Sequence, residues 1–267
     1  MKLTKQQRKL HQEACDLLGK DDLTYDEKWF VLENWHEGAT NNNGASGAFF
    51  TPPELASDFG LDVGGGSIID LCAGIGTLSF VYYHHRCHGE KPQIACVEIN
   101  PEYVEVGKKI FPEANWICAD IFDIWRDLGR FDWAIANPPF GNLSRGYAAP
   151  RYAGSLFEYK ILDLASHMAD YGTFLLPHNS AGFRYSGAQC YARHENAQYR
   201  KFAKETGLFL DAGCGVDTTY YADGWKGVKP CVEIVCCDFT EAEPLDVEPC
   251  GHDHAQQLAL FSGQGAS

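Results

Sequence analysis

Four short apolar runs, each ending at a polar residue and each followed by a turn and a helical pattern, constrain this chain more than any other feature. They are Ser67-Ile68-Ile69-Asp70, Gln93-Ile94-Ala95-Cys96-Val97-Glu98, Asn115-Trp116-Ile117-Cys118-Ala119-Asp120 and Phe131-Asp132-Trp133-Ala134-Ile135-Ala136-Asn137. Such runs suit buried strands, and their alternation with helical segments predicts a doubly wound α/β domain with a parallel sheet. Sheets of that kind bind ligands beyond the carboxyl ends of their strands. Asp70, Glu98, Asp120 and Asn137 would then lie along one edge. Any one acid there is equally a helix cap; four polar tips in succession are harder to explain that way.

The first run opens into Cys72-Ala73-Gly74-Ile75-Gly76-Thr77-Leu78-Ser79. Glycines at a strand-to-helix turn let the backbone approach a ligand closely. A dinucleotide loop wants a third Gly or Ala where Ser79 stands, which counts against NAD. Glu98, at the second tip, suits bidentate contact with two ribose hydroxyls, and Asp120, at the third, suits an adenine amino group. Asn100-Pro101 opens a helix from Glu102 to Ile110.

The fourth tip reads Asn137-Pro138-Pro139-Phe140, then Gly141-Asn142. Two prolines fix φ and remove two N–H groups, leaving the carbonyls of Asn137 and Pro138 to accept from something else. An exocyclic base amine fits. Its lone pair is delocalised into the ring, and two acceptors, the Asn137 side-chain oxygen and the Pro138 carbonyl, would draw the nitrogen toward sp3 geometry and aim it at an electrophile. Phe140 would stack on the extruded base. The alternative is a Pro-Pro turn capped by Asn137, with Phe140 as a core plug.

Helices are expected at 3–18 and 25–37, closing at Gly19 and Gly38, with a flexible loop at 41–47. In Phe49-Phe50-Thr51-Pro52-Pro53-Glu54, Thr51 is expected to N-cap a helix begun by the prolines, or to meet a ligand carboxylate. Further expectations are a helix from Ser155 to Ala169, a fifth strand at 172–177, a helix ending at Thr206, a strand at 208–212 and a last strand at 230–237.

Hydrophobic residues make up 45% of the 267, enough for a full core. With no apolar stretch of about 18 residues and a polar start at Met1-Lys2-Leu3-Thr4-Lys5, neither a membrane span nor a signal peptide is expected. Eleven cysteines without paired CxxC spacing predict reduced thiols and a cytoplasmic location. A net charge of −14 opposes binding nucleic acid by bulk electrostatics. Between 141 and 205, however, eight basic residues face five acidic ones, which leaves room for a local basic face.

Together, the Phe-Thr-Pro element, the glycine turn, the acidic tips and Asn-Pro-Pro-Phe resemble the S-adenosylmethionine-dependent amino-methyltransferases, specifically DNA N6-adenine methyltransferases of the gamma arrangement. The resemblance covers roughly residues 48–177. It implies a seven-stranded class I methyltransferase (Rossmann-like) sheet closed by an antiparallel hairpin, spanning 48–240 behind an N-terminal helical segment at 1–47. It implies S-adenosylmethionine as cofactor. Phe50, Thr51 and Pro52, with Asp70, Cys72, Ala73, Gly74 and Gly76, would surround the methionine part. Glu98 with Ile99 would hold the ribose, Asp120 with Ile121 the adenine, and Asn137 to Phe140 the target base. The same catalytic motif occurs in RNA base and protein glutamine methyltransferases, and a catalytically silent cofactor-binding module is a third reading. A cytosine-C5 enzyme would need a nucleophilic Cys after the fourth strand, where this chain has none.

With no room for a separate target-recognition domain, DNA contact is expected from Arg145, Tyr147 and Arg151 in the segment after the motif, and from Arg184 and Tyr185 in an aromatic and arginine-rich loop. The tail from 241 onward is acidic and expected to be flexible. Its Gln257-Leu258-Ala259-Leu260-Phe261 resembles the peptide by which bacterial DNA-processing proteins dock on the replication sliding clamp; a stray amphipathic end is the alternative. His84-His85-Arg86-Cys87-His88 and Cys250-Gly251-His252-Asp253-His254 lack a four-ligand spacing, and no metal is expected.

Overall fold

The computed structural model describes residues 3–36, 49–87, 89–143, 146–226 and 229–242. Two helices lead, α1 (Lys5–Leu18) and α2 (Tyr25–Asn34), each begun by a reciprocal capping box, Thr4 with Gln7 and Thr24 with Glu27. The second is shorter than expected because Trp35 turns extended (φ −70°, ψ 130°). A short helix α3 (Pro53–Phe59) precedes β1 (Ser67–Asp70), α4 (Thr77–Val81), β2 (Gln93–Glu98), α5 (Pro101–Ile110), β3 (Asn115–Cys118), α6 (Ile121–Ile124) and β4 (Phe131–Ala136). Then come α7 (Phe157–Ala165), β5 (Ala169–Pro177), the short arms β6 (Phe183–Arg184) and β7 (Ala192–Arg193), α8 (Ala197–Thr206) and β8 (Val232–Asp238).

The main sheet has the order β3-β2-β1-β4-β5-β8, parallel except for β8, which runs antiparallel to β5. Successive residues point to opposite faces. Ile68, Ile94, Cys96, Trp116 and Ile135 enter one core, shared with α2, α3 and α5; Ile69, Ala95, Val97, Ile117 and Ala134 enter the other, shared with α7 and α8. Both faces are thus buried, which is why the runs read as nearly continuous apolar stretches. The N-terminal helices contribute Ala14, Val31 and Leu32 to the first core, and Trp35, just past α2, joins them.

Six strands form the sheet among the described residues, where seven were expected. The expected strand at 208–212 contributes a single bridge, Asp211 to Cys236, on the outer edge of β8. Asp211 exchanges both backbone bonds with Cys236, at 3.0 and 2.8 Å, while Leu210 faces away from β8, its carbonyl accepting from the Arg193 guanidinium at 2.9 Å and its N–H donating to the Tyr199 hydroxyl at 3.3 Å. The closing antiparallel hairpin is therefore β8 plus this one bridge. The expected helix from Ser155 stops at Ala165, because Ala169 already pairs with Phe131 as the first residue of β5.

Strand order reverses between β1 and β4, which open a crevice beyond their carboxyl ends. Among the described residues no helix is long and apolar enough to cross a membrane.

Candidate active site

A cavity of about 350 Å³ opens at that crevice. Its wall takes Leu71 to Gly74 after β1, Val97 to Asn100 at the end of β2, Ala119 to Ile121 after β3, and Asn137 and Pro139 after β4. Phe49, Phe50 and Thr51 close it from the N-terminal side. Of the residues assigned to a ligand from sequence, Phe50, Thr51, Cys72, Ala73, Gly74, Glu98, Ile99, Asp120, Ile121, Asn137 and Pro139 line it; Pro52, Asp70, Gly76, Pro138 and Phe140 do not.

Asn137 is half-buried, and its orientation is fixed. Its Nδ2 donates to the Phe49 carbonyl at 2.8 Å and to Thr51 Oγ1 at 3.0 Å. A carbonyl can only accept, so the amide nitrogen must face Phe49, and Oδ1 is left as the outward acceptor. Nothing among the described residues donates to Oδ1. Thr51 is thus not the helix cap expected of it: the N-cap of α3 is Pro52, with no side-chain hydrogen bond, and the buried Thr51 hydroxyl holds Asn137 instead.

The strap carrying Thr51 is itself held. Phe50 is boxed by Trp35 and Tyr103, with ring centroids at 5.8 Å and 5.0 Å. Lys226 Nζ lies 5.6 Å from the Phe50 ring centroid and donates to the carbonyls of Leu32 and Trp35 at the end of α2, at 2.7 Å each.

Two glycines shape the first loop. Gly74 (φ 57°) and Gly76 (φ 85°) both occupy the left-handed region, and Gly76 is the N-cap of α4. A Cβ at Gly76 would meet the Trp116 ring at 2.9 Å, so this glycine sets the turn from behind the wall.

Glu98 accepts from the Gly74 N–H at 2.9 Å and the Asn100 N–H at 2.8 Å. These two bonds aim the carboxylate while leaving lone pairs for a ligand. Burial pushes its pKa up to about 7, against the downward pull of those N–H groups. Asp70 lies deeper. Ser79 Oγ donates to its Oδ2 at 2.8 Å, Oδ1 has no hydrogen bond of ordinary geometry, and burial lifts its pKa to about 7 as well. Asp120 serves two purposes, capping α6 through the Phe122 N–H at 3.1 Å and facing the cavity. Cys72 also faces it, held as a neutral thiol by burial first and then by the charges of Glu98, Asp70 and Asp120.

The remaining assignments divide. Phe140 is half-buried and packs on the core shared with α2. Tyr147 lines the cavity, 4.5 Å from Phe122 and 5.2 Å from Phe157 by ring centroids. Arg151 corrects the sequence reading: its Nε donates at 2.9 Å to the fully buried Asp163, and its side chain is only 14% exposed. It braces its own domain rather than facing outward. Arg184 is exposed on β6 with no ion pair among the described residues, and Tyr185 is half-buried beside it. Arg145 and the tail residues Gln257, Leu258, Leu260 and Phe261 lie outside the described residues.

Sequence reading passed over Tyr103, Leu143 and Phe157, which complete the wall. A signal existed for Tyr103, one turn into the helix after Asn100-Pro101 and so beside the β2 tip. Leu143 and Phe157 reach the cavity by tertiary packing alone.

No protein-family model matches the chain, and no curated protein matches it in sequence. Solved structures match it in shape. A protein from Listeria monocytogenes assigned as a class I S-adenosylmethionine-dependent methyltransferase superposes with a TM-score of 0.56 at 11% identity, covering 92% of this chain and 79% of that one. The modification subunit assigned to a type I restriction enzyme of Vibrio vulnificus YJ016 gives 0.54 at 12% identity, covering 93% of this chain and 60% of the subunit. The present chain thus spans three-fifths of that subunit's length. A protein from Pyrococcus horikoshii assigned as an RNA methyltransferase is more distant, at TM-score 0.44 and 18% identity over 88% of this chain and 98% of that one. Likeness at such identities concerns the course of the backbone. The chain has the doubly wound α/β fold of the class I methyltransferases, with six strands in its main sheet and an antiparallel closing edge.

Proposed function

We propose that this chain is a DNA methyltransferase that moves a methyl group from S-adenosylmethionine to the N6 amino group of adenine. The observation that carries the reading is the locked amide of Asn137, a residue of the cavity wall whose nitrogen is held by Phe49 and Thr51, which leaves its oxygen as the acceptor. A side chain fixed so that it can only accept suits an amine substrate.

The cavity suits the cofactor in chemistry as well as position. Glu98 retains lone pairs for two ribose hydroxyls, Asp120 faces the same space, and Leu71, Val97 and Ile121 offer apolar wall to a purine. Glu98, ionised above about pH 7, sets a negative charge toward a cationic ligand. Bound there, S-adenosylmethionine supplies an electrophilic methyl on a sulfonium. The chain's own part is positional. Asn137 Oδ1 accepts an amine hydrogen, holds the nitrogen in line and favours a tetrahedral geometry at it, and the methylated nitrogen then releases its surplus proton to water. The neutral thiol of Cys72 offers no nucleophile, and no covalent enzyme intermediate is needed. Arg184 and Tyr185 are the proposed contacts to the DNA around the extruded base.

The test is transfer of labelled methyl to unmethylated duplex DNA, single-stranded RNA and protein in parallel, followed by digestion and separation of products. Label in N6-methyladenine from DNA supports the proposal. Label confined to RNA or protein overturns the substrate, and cofactor binding without transfer to any of them overturns the enzyme.

A further inference from the structure

Glu158 is 1% exposed, in the first turn of α7, and no cation pairs with it among the described residues. A buried carboxylate without a counter-charge is costly and persists only where hydrogen bonds compensate it. Two do. Its Oε2 accepts from the Gly141 N–H at 2.9 Å and its Oε1 accepts from Ser180 Oγ at 2.7 Å. Gly141 immediately follows Asn137-Pro138-Pro139-Phe140 and holds φ 82°, while Ser180 lies in the loop after β5 that runs on to Arg184. The Gly141 peptide is gripped a second time, its carbonyl accepting from the Phe157 N–H at 2.9 Å. With the prolines supplying no N–H of their own, Gly141 offers the first hydrogen-bonded anchor after Asn137 on the downstream side.

We infer that Glu158 is a positioning residue: it fixes the downstream end of the Asn137 loop through the Gly141 N–H, and through Ser180 ties that loop to the one bearing Arg184. The inference rests on the proposed reaction only for its kinetic consequence. A reacting group displaced by about 1 Å loses on the order of 100-fold in rate, so the anchor acts on turnover rather than on cofactor binding.

The full chain is compared with Glu158→Met, which keeps the length and packing of the side chain but has no oxygen acceptors, and Glu158→Gln, whose amide can accept from Gly141 and donate to Ser180 Oγ. Three readouts are hydrogen exchange at the Gly141 amide, the Kd for S-adenosylmethionine, and kcat at saturating cofactor. Glu158→Met is expected to speed Gly141 exchange at least tenfold and lower kcat at least tenfold, with Kd within about twofold; Glu158→Gln stays near wild type in all three. Unchanged Gly141 exchange, a Gln variant no better than Met, or loss of cofactor binding or of cooperative melting in Glu158→Met overturns the assignment. If the wild-type chain transfers no methyl group, the proposed reaction fails by itself, and Gly141 exchange still decides whether Glu158 anchors the loop.

Discussion

Asn137 Nδ2 lies 3.0 Å from Thr51 Oγ1, a hydrogen bond between residues 86 apart in sequence that occupies the amide nitrogen and leaves the oxygen of this cavity-wall residue as an acceptor. Thr51→Val keeps the shape and removes the acceptor, leaving only Phe49 to orient the amide. A lost bond to a half-buried amide is worth about 1–2 kcal/mol, so kcat should fall roughly 5- to 30-fold while Thr51→Ser stays within about twofold. Asn137→Ala should abolish transfer with cofactor binding intact. Single-turnover kinetics and calorimetry check both; loss of binding in Asn137→Ala would count against the assignment.

Cofactor affinity should rise with pH. Burial raises Glu98 from 4.5 to about 7, so it is mostly neutral at pH 6 and mostly ionised at pH 8. Only the ionised form presents both oxygens purely as acceptors to ribose hydroxyls, which predicts about tenfold tighter binding over that interval. Glu98→Gln should lose most of the dependence. Titration at pH 6, 7 and 8 measures it, and a flat wild-type profile would remove Glu98 from the role.

The stability of the ligand-free protein should run the other way. Asp70 is raised from 3.8 to about 7 by burial, so the folded chain keeps a proton that the unfolded chain has lost. Its stabilising effect is present below about pH 4 and is lost as pH rises toward 7, levelling above that. Glu98, raised likewise by burial, contributes in the same direction, so Asp70→Asn should remove about half of the slope. Urea midpoints from pH 5 to 8 test this, and a wild-type midpoint that climbs across the range would contradict it.

Gly76 and Gly141 share a left-handed conformation but not their surroundings. A Cβ at Gly76 meets the Trp116 ring at 2.9 Å, whereas one at Gly141 meets nothing within 4 Å. Gly141→Ala should cost about 1–2 kcal/mol from backbone strain alone. Gly76→Ala should cost about 2–5 kcal/mol, with overpacking added. Denaturant melts of the two variants give the comparison; equal costs would mean that Trp116 moves aside freely.

The two arginines assigned from sequence to DNA should behave oppositely. Arg151→Ala removes the guanidinium bond to the buried Asp163, which keeps the backbone N–H groups of residue 151 and Tyr152 and the nearby His167, and should cost about 1.5–3 kcal/mol of stability. Arg184→Ala should leave the melting temperature within 1–2 °C, roughly the effect of a surface change, while weakening binding to duplex DNA and flattening its salt dependence. Thermal melts and binding at two salt concentrations separate them.

Much of this was legible because parallel strands write themselves plainly. Each of β1 to β4 carries its apolar run and its polar tip locally, so both the crevice and its acids can be read from short windows. Thr51 was misread because Thr-Pro-Pro-Glu is a local helix-start signal, while its partner Asn137 is contributed by another strand. Arg151 was misread for the same reason: the loop holding it looks open until α7 brings Asp163 beneath it. The strand at 208–212 had the composition, but only Asp211 pairs with β8, and the side chains that bond its other side, Arg193 and Tyr199, lie outside any window of a few residues. Glu158 gave no signal, since an acid in the first turn of a helix is ordinary.

Lys226 donates to carbonyls of Leu32 and Trp35 from 194 and 191 positions downstream. During synthesis at about 5–20 residues per second, roughly 10–40 s separate the emergence of the two partners from the ribosome. The brace that Lys226 gives to the end of α2 and to Phe50 is therefore added late, so a chain interrupted before Lys226 would carry every strand tip of the cavity, and both partners of Asn137, without that brace.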